Sequence, residues 1–369
     1  MRRLRSQGWN AIRLGVVWAG AQPREADSRS LDAGFVSRLH ALLELTDAHN
    51  VSVILDNHGD MVGTLGCGNG VPAWVTQRAA PDLVGKPLRT ELPYSLFEPV
   101  DKVSGYEACG TNETLWALHA GDPLYNLLNP CCQAMNSPNP GGLGFTSIAQ
   151  ATMDYVLAPG EGRQAFVRFW ALLAAEVARH PSAIAAELMN EPMSIRRRWM
   201  FQTWRAAADA INAAVPDMMV AITDVGEGAV LPAWVSQIGG AGLDIDRETL
   251  DWIKASETAV YTWHWYGEPS DPQQAIDNAQ AIGAAWGMPT MLTEFMSPLM
   301  WELAAAANIS HTYWHYSAFC DTGPAFGNRT VPSETFGACI LGWAGGRSAF
   351  PPLARLYAGE EAFTARAWM

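Results

Sequence analysis

The segment that decides the fold is IAAELMNEPMSIRRRWMFQTWRAAADAINAAVPDMMVAIT, residues 184–223. It begins with a short apolar run that suits a buried strand and continues into a loop that contains Pro192. Residues 195–214 then show helical periodicity, and a second apolar run of strand length follows them. This order of strand, loop, helix and strand is typical of one parallel βα unit.

The same alternation of apolar runs and helical stretches recurs along the whole chain. Residues that follow the apolar runs are rich in Gly, Pro, His, Asn and Glu, as at the catalytic face of a barrel. We therefore predict an α/β protein with the (β/α)8 TIM barrel fold, and an open, doubly wound sheet is the alternative because it shows the same alternation. The predicted strands are Ala11 to Val17, Val51 to Asp56, Ile184 to Met189, Met218 to Thr223, Ala259 to Trp263, Met288 to Thr293 and Ile309 to His315. The predicted helices are Leu31 to Ala48, Gly162 to Arg179, Ile195 to Ala214, Pro272 to Trp286 and Pro298 to Ala307.

Length and spacing indicate one domain with one large insertion. The 369 residues suit a single barrel, so we expect residues 1–369 to form one domain. The seven predicted strands are one fewer than the eight strands of a barrel. A helical turn, Arg3 to Gly8, precedes the first of them. We therefore expect the first barrel strand and any signal peptide to lie upstream of Met1. Residues 59–160 follow the third barrel strand and are rich in Gly, Pro and Cys, which predicts an ordered wall or lid over the barrel mouth.

The charge and hydropathy of the chain exclude some classes of partner. The formal net charge is −13 and the longest basic run is Arg196 to Arg198, so we expect no nucleic-acid partner. Hydrophobic residues make up 49% of the chain and charged residues 17%, which suits a large buried core. No uncharged apolar run reaches about 18 residues, so we predict no transmembrane segment. We expect the protein to be a monomer.

Cysteines and glycosylation sequons favour a secreted protein. The chain has six Cys, an even number, and four of them lie in the predicted insertion, where cross-links would add most. The cysteines are Cys67, Cys109, Cys131, Cys132, Cys320 and Cys339, and Asn-x-Ser/Thr sequons begin at Asn50, Asn112, Asn308 and Asn328. We predict passage through the secretory pathway, with the four insertion thiols mostly paired; free buried thiols are the alternative.

Two glutamates stand where predicted strands end. Glu191 lies in AELMNEP, residues 186–192, and Glu294 lies in PTMLTEF, residues 289–295. Glycoside hydrolysis needs such a pair, because one carboxyl protonates the leaving oxygen and one carboxylate meets the developing oxocarbenium ion. A pair of acids alone is more often structural or metal-binding, so the surrounding residues decide.

Six further residues complete a set that resembles the active site of glycoside hydrolase family 5. The eight residues occur in the order of that family, each at a predicted strand end, and the resemblance covers residues 9 to 316. It implies a TIM barrel and a retaining β-glycosidase with Glu191 as acid/base and Glu294 as nucleophile. The other six are Arg13 in NAIRL, His58, Asn190, His264 and Tyr266 in HWY, and Trp314.

Within that family the chain is more similar to endoglycoceramidases and related glycosphingolipid hydrolases. LDNHGD (55–60) and CGNGVPAW (67–74) resemble their Asp-x-His-Gln-Asp and Cys-Gly-Glu-Gly-x-Pro motifs, although Gly59 replaces a Gln and Asn69 replaces a Glu. PLARLYAG (352–359) is similar to the segment that leads into their C-terminal β-sandwich, which we expect to be absent from these residues. The resemblance implies a glycosphingolipid substrate. A β-glucanase, β-glucosidase or mannanase activity on oligosaccharides is the alternative.

The residue types suit the two catalytic roles. Arg13 is always cationic and can hydrogen-bond Glu294, and Tyr266 can donate to the same carboxylate, so we expect Glu294 to be ionised. Glu191 must arrive protonated and leave as a base, which needs partial burial and a nearby second carboxylate. We expect His264 to tune that group.

Asn190 and Trp314 are expected to contact the sugar. Asn190 can donate to the 2-hydroxyl, and Trp314 offers a flat apolar face to the ring. Adjacent Asn190 and Glu191 would point to opposite faces of an ideal strand, so we predict a bulge or turn there, consistent with Pro192. Glu187 lies four residues before Glu191, so in a strand both side chains would point to the same face. We expect Glu187 to be a structural partner lower in the barrel.

Other kinds of site are less well supported. His311 and His315 have the spacing of a zinc helix, but the run is strand-like. Asp56, His58 and Asp60 suit a hydrogen-bond network better than a cation site. Neither a Gly-x-Ser-x-Gly elbow nor a phosphate-binding loop occurs in the sequence. We expect no cofactor and no metal, and the alternative from a different class is a carbohydrate-binding fragment that has lost catalysis.

Overall fold

The computed structural model describes most of the chain up to residue 314. The described residues are 1–6, 9–59, 62–66, 68, 70–84, 88–90, 144–194, 196–226, 245–267, 271–314, 316–317 and 338–339. Much of the predicted insertion lies outside these ranges, as do the predicted pairings of Cys67, Cys109, Cys131 and Cys132. No helix within the described ranges is long and apolar enough to cross a membrane.

Seven parallel strands form one sheet, and their order in space is their order in the chain. Every predicted strand is present, with bounds that differ by a few residues. The strands are β1 (Ala11–Gly15), β2 (Ser52–Asp56), β3 (Ala183–Glu187), β4 (Met219–Thr223), β5 (Ala259–Trp265), β6 (Thr290–Phe295) and β7 (Ser310–His311). A separate two-residue parallel pair joins β8 (Tyr316–Ser317) and β9 (Ala338–Cys339).

The central strands are buried along nearly their whole length. In β2 the last four residues, 53–56, are all buried, and β4 is buried from Val220 to Thr223. Burial on both faces is typical of a parallel sheet that is covered by helices outside and by packed side chains inside. Because both faces are buried, these strands occur in the sequence as continuous apolar runs.

The described residues contain ten α-helices. Side chains of Asp32, Asp271 and Ser297 accept backbone N–H groups at the first turns of three of them, which satisfies donors that have no partner within a helix. The helices are α1 (Arg2–Ser6), α2 (Trp18–Ala21), α3 (Ala33–His49), α4 (Ala73–Ala79), α5 (Ser147–Leu157), α6 (Glu161–Val177), α7 (Arg197–Ala214), α8 (Arg247–Ala255), α9 (Pro272–Trp286) and α10 (Pro298–Ala306). Short 3-10 turns span Glu25–Asp27 and Thr64–Gly66.

All five predicted helices are present, and α2, α4, α5 and α8 were not predicted. Two of these, α4 and α5, lie inside the insertion of residues 59–160, which is therefore partly helical. Its Gly and Pro content concealed an amphipathic stretch in α5, where Ile148, Met153 and Val156 are buried in the core.

The sheet is curled, because side chains from its distant strands touch. Arg13 in β1 hydrogen-bonds Glu294 in β6, and five strand spacings would separate these strands by about 24 Å in a flat sheet. His58 after β2 likewise stacks on Trp314 after β7. The architecture is that of a (β/α)8 barrel with seven strands in the described part of the chain, and the predicted fold class is confirmed.

Candidate active site

The eight predicted site residues meet at the carboxyl ends of the strands, where barrel active sites form. Three of them lie within strands, namely Arg13 in β1, His264 in β5 and Glu294 in β6. The others follow strand ends: His58 after β2, Asn190 and Glu191 after β3, Tyr266 after β5 and Trp314 after β7. Each of the eight contacts at least one other member of the set.

Arg13 is the hydrogen-bonding centre of the site. Its Nη1 donates to Oε1 of Glu294 and its Nε donates to Oε2 of Glu187. Its Nη2 donates to Oδ1 of Asn190 at 2.8 Å and lies 3.1 Å from Oδ1 of Asp56. Burial alone would lower the pKa of Arg13, but the charges of Asp56, Glu187 and Glu294 outweigh it and raise that pKa further. The guanidinium therefore stays charged and connects β1, β2, β3 and β6.

Both carboxylate oxygens of Glu294 accept hydrogen bonds. Oε1 accepts from Arg13, and Oε2 accepts from the hydroxyl of Tyr266. Burial and the charge of Glu294 raise the pKa of Tyr266, so its hydroxyl remains a donor. The side chain of Glu294 is 4% exposed. A carboxylate held by two donors on two sides has a fixed direction, as attack on a sugar carbon requires.

Glu191 lies beyond the end of β3 and has a backbone φ of 38°. Because β3 ends at Glu187, the chain has left strand geometry before it reaches Asn190 and Glu191, as Pro192 led us to predict. The left-handed conformation is strained for a residue other than glycine, and such strain is concentrated at functional sites. It lets Asn190 reach Arg13 while Glu191 reaches His264. The side chain of Glu191 is 21% exposed, so solvent and ligands can reach it.

His264 stands between the two glutamates. Its Nδ1 is 2.8 Å from Oε1 of Glu191 and 3.7 Å from Oε2 of Glu294. The pairing of β5 with β6 shifts register between Trp263 and His264, and this irregularity accompanies burial of three successive side chains, Trp263, His264 and Trp265. Burial would lower the pKa of His264, but Glu294 and Glu191 outweigh it and raise the pKa above its usual value.

His58 links the site to its aromatic wall. Its Nδ1 is 2.7 Å from Oδ2 of Asp56 and 3.9 Å from Oε1 of Glu294. Its ring is stacked on Trp314, with centroids 4.9 Å apart and planes 5° from parallel. The backbone N–H of Trp314 donates to the carbonyl of Phe295 at 3.0 Å, so the backbone of Trp314 is tied to the end of β6. One indole face is thus covered by His58.

A pocket opens beside Glu191. It encloses about 270 Å³, part of which is open solvent. Its polar lining is Asn57, Asn190 and Glu191, and its apolar lining includes Val62, Val71, Met153, Met189 and Met193. Three flexible thioether side chains next to a carboxyl group indicate a surface that adapts to apolar ligands.

Two clusters bear on metal binding. One oxygen each of Glu191 and Glu294 and a nitrogen of His264 lie within 4.8 Å of one another, close enough to hold an ion together. An ion there would compete with Arg13 and Tyr266, which already donate to both oxygens of Glu294, so the arrangement suits proton transfer better.

The second cluster is the predicted zinc alternative. The ring of His311 packs on Trp301 at 4.7 Å and on Phe295 at 5.6 Å, and its Nδ1 is 2.9 Å from the carbonyl of Ile309. Burial lowers the pKa of His311. These contacts are those of a core histidine. His315, the second histidine of the zinc alternative, lies outside the described residues. So does Asp60, the third residue of the alternative cation site with Asp56 and His58.

Sequence reasoning missed Asn57, which holds three strand ends together. Its Oδ1 accepts from the backbone of Trp18, its Nδ2 donates to the carbonyl of Leu188, and its own carbonyl accepts from the backbone of Asn190. The available signal was its position directly after β2, because His58, Asn190, Glu191 and Tyr266 also follow strand ends. Asn57 is buried.

A family model described as Cellulase (glycosyl hydrolase family 5) matches residues 159–319. That range contains both glutamates and four of the other predicted site residues. Over these residues the chain is similar to glycosyl hydrolase family 5. The resemblance that the eight residues predicted is therefore confirmed.

One curated protein that is similar to this chain is an endoglycoceramidase. Endoglycoceramidase I of Rhodococcus hoagii (strain 103S) is 24% identical over 374 residues, which cover 89% of this chain and 63% of that protein. The chain thus spans less than two thirds of the length of this curated relative.

Two solved structures have the same fold. The lactosyl-enzyme intermediate of endo-glycoceramidase II from Rhodococcus sp. gives a TM-score of 0.58 at 16% identity, covering 87% of this chain and 69% of that one. An endoglucanase of Pseudomonas stutzeri gives a TM-score of 0.50 at 15% identity, covering 99% and 85%. At these identities the likeness establishes the barrel alone.

Proposed function

We propose that this chain is a retaining β-glycoside hydrolase in which Glu294 is the nucleophile and Glu191 is the general acid and base. The observation that carries the proposal is the spacing of the two carboxyl groups, one oxygen of each lying within 4.8 Å of the other. Retaining glycosidases hold these groups about 5–5.5 Å apart, whereas inverting ones leave about 6.5–9.5 Å for a water molecule. The buried, doubly hydrogen-bonded Glu294 and the more exposed Glu191 fit the two roles.

The proposed reaction has two displacements at the anomeric carbon. Glu191 transfers its proton to the glycosidic oxygen while a carboxylate oxygen of Glu294 bonds to the anomeric carbon and the bond to the leaving oxygen breaks. The products of this step are a glycosyl ester on Glu294 and a free alcohol. Glu191, now a carboxylate, then takes a proton from water, whose oxygen displaces Glu294. Two inversions retain the β configuration.

Azide assigns the two roles. With an activated aryl β-glycoside, Glu191→Ala should still form the glycosyl ester, and azide should then give the β-glycosyl azide. Glu294→Ala forms no ester, so azide should attack from the opposite face and give the α-glycosyl azide. Glu248→Ala is the control, because that glutamate is exposed on α8. Product anomers are read by NMR, and an exchanged pattern, or an inverted first product from the wild type, would contradict the assignment.

The substrate we propose is a β-linked glycolipid that is cut at the bond between glucose and ceramide. The acid Glu191 faces the leaving group, so the pocket beside it belongs to the aglycone, and its three methionines suit an alkyl chain. The match to Endoglycoceramidase I supports the same substrate class. Leu299, at the start of α10 and 52% exposed, adds apolar surface beyond Glu294.

An alkyl β-lactoside series separates this substrate from an oligosaccharide. If methylenes enter an apolar pocket, kcat/KM should rise with alkyl length by up to about 0.8 kcal/mol for each buried methylene. Met193→Gln should flatten that rise, whereas Met219→Gln, on the half-exposed first residue of β4, should leave it unchanged. A flat response to alkyl length with a strong gain from added glucose units would favour a β-glucanase and leave the two-glutamate mechanism intact.

A further inference from the structure

We propose that Glu187 is a positioning residue that orients the nucleophile Glu294 from two sides, through Arg13 and through Thr293. The proposal rests on the function proposed above, because it assigns Glu294 the nucleophilic role. Glu187 is the last residue of β3 and is fully buried. It does not reach the cavity that a substrate would occupy, so any effect it has on the reaction passes through other residues.

The first contact fixes the direction of the guanidinium. Oε2 of Glu187 accepts from Nε of Arg13, which is the nitrogen nearest the aliphatic stem of that side chain. With Nε held, rotation about the end of the side chain is blocked, and Nη1 is left pointing at Glu294. Asp56 already supplies a negative charge to Arg13, since its Oδ1 lies 3.1 Å from Nη2. The distinct contribution of Glu187 is therefore geometric rather than only electrostatic.

The second contact holds the strand beneath the nucleophile. Oε1 of Glu187 accepts from the hydroxyl of Thr293 at 3.0 Å, and Thr293 directly precedes Glu294 in β6. Both oxygens of one carboxylate thus act on Glu294, one through its backbone and one through its hydrogen-bond donor. Displacement of a reacting group by about 1 Å can cost about 100-fold in rate. Holding Glu294 from two sides should therefore have a measurable effect on the rate.

Glu187 also lies four residues before Glu191, so a perturbation could act on the acid instead. Leaving groups distinguish the two routes. An activated aryl aglycone departs without protonation, so loss of acid catalysis hardly changes its kcat/KM, whereas loss of nucleophile orientation slows all aglycones alike. A purely structural role would lower stability without either signature.

The test measures kcat/KM with activated and poor leaving groups, well below each melting temperature. Glu187→Gln keeps the volume but has one acceptor oxygen for two donors, and we expect about a 100-fold loss with both aglycones. Thr293→Val removes only the hydroxyl and should lose part of that activity with both aglycones, and Thr293→Ser should recover it. Thr223→Val is the matched control, because Thr223 is equally buried at the end of β4 and its hydroxyl bonds Thr262 at 2.6 Å. The control should keep wild-type kinetics.

Three outcomes would overturn the proposal. The first is that Glu187→Gln and Thr293→Val both keep the wild-type kcat/KM. The second is that these variants lose kcat/KM only with poor leaving groups. The third is that the control Thr223→Val loses as much kcat/KM as Thr293→Val. If the wild type hydrolyses no β-glycoside, the proposed function fails by itself. Crystal structures of Glu187→Gln and Thr293→Val then decide, because unmoved Arg13 and Glu294 side chains would end the positioning role.

Discussion

At the residue scale, the floor of the site holds more negative than positive charge. The buried carboxylates of Asp56, Glu187 and Glu294 surround the single guanidinium of Arg13. A guanidinium can serve three partners because its nitrogens point in different directions in one plane. Burial would lower the pKa of the neighbouring His264, but the charges of Glu294 and Glu191 outweigh it and raise that pKa.

Arg13→Lys should abolish most activity although it keeps the charge. One ammonium group cannot reach Glu187, Asn190 and Glu294 along separate directions, so the donor to the nucleophile is lost. We expect kcat to fall by about 100-fold or more, as for removal of one preorganised donor. Arg205→Lys, whose partner is the exposed Glu248, should retain kcat. Equal kcat in Arg13→Lys and the wild type would show that the separate donor directions of the guanidinium group are not needed.

His264 makes stability depend on pH above about pH 6.5. Because its folded pKa is raised, the folded state binds the proton more tightly than the unfolded state. The resulting stabilisation is complete below the unfolded pKa of about 6.5 and is lost as pH rises through the folded pKa. Urea unfolding between about pH 5 and 9 should show the wild type losing stability relative to His264→Gln as pH rises. Parallel curves for the two proteins would count against this linkage.

At the element scale, a second polar cluster ties α3 to the start of β3 on the face opposite the site. Asp47 accepts from the backbone of Ser182 at 2.9 Å, and its other oxygen is 2.6 Å from Nδ1 of His180. The chain of contacts continues from His180 to His40 at 2.8 Å. Polar residues on this face of a barrel serve stability rather than chemistry.

Asp47→Asn should reduce the loss of stability in acid. Burial would raise the pKa of Asp47, but hydrogen bonds from Ser182 and His180 outweigh it and lower that pKa. The stabilisation is therefore present above the unfolded pKa of about 3.9 and is lost as pH falls through the folded value. Urea midpoints from about pH 6 to 2 should fall less steeply in Asp47→Asn than in the wild type. Asp82→Asn, at an exposed acid, is the control, and identical slopes in Asp47→Asn and the wild type would refute the linkage.

At the scale of the whole molecule, we propose that the protein passes through the secretory pathway. Two of the four sequon asparagines lie in the described part of the chain. Asn50 and Asn308 are both exposed, just after α3 and α10, with φ of 51° and 55°. Asparagine tolerates this left-handed conformation, which accounts for the residue at both positions independently of any glycan. The cysteines therefore carry more of the argument than the sequons.

The thiol count tests that proposal. Cross-links in residues 59–160 would restrict a long segment in the unfolded state, so we expect Cys67, Cys109, Cys131 and Cys132 to be mostly paired after expression under oxidising conditions. Alkylation before and after reduction, read by mass spectrometry, counts the paired thiols, and expression in a reducing cytosol is the comparison. Six free thiols in the oxidised preparation would refute the pairing and weaken the case for secretion.

Local patterns predicted the positions of strands and site residues well. Most of the strands are buried apolar runs and each site residue lies in a strand or follows one, so Glu191, Glu294 and their six companions were recognisable without a structure. The insertion was predicted less well. Its Gly and Pro residues masked α4 and α5, whose helical character depends on packing against the core rather than on intrinsic propensity.

By itself the sequence determined the alternation of strands and helices, and with it the end of the barrel at which the polar residues gather, because these follow from periodicities over short stretches of chain. The tertiary structure decided which of those residues act on one another. Arg13 reaches Glu187 and Glu294 across 174 and 281 residues of chain, and Thr293 reaches Glu187 across 106. Such contacts depend on the curl and register of the sheet. Hydrogen bonds act over about 3 Å, so only the assembled barrel brings these side chains within reach.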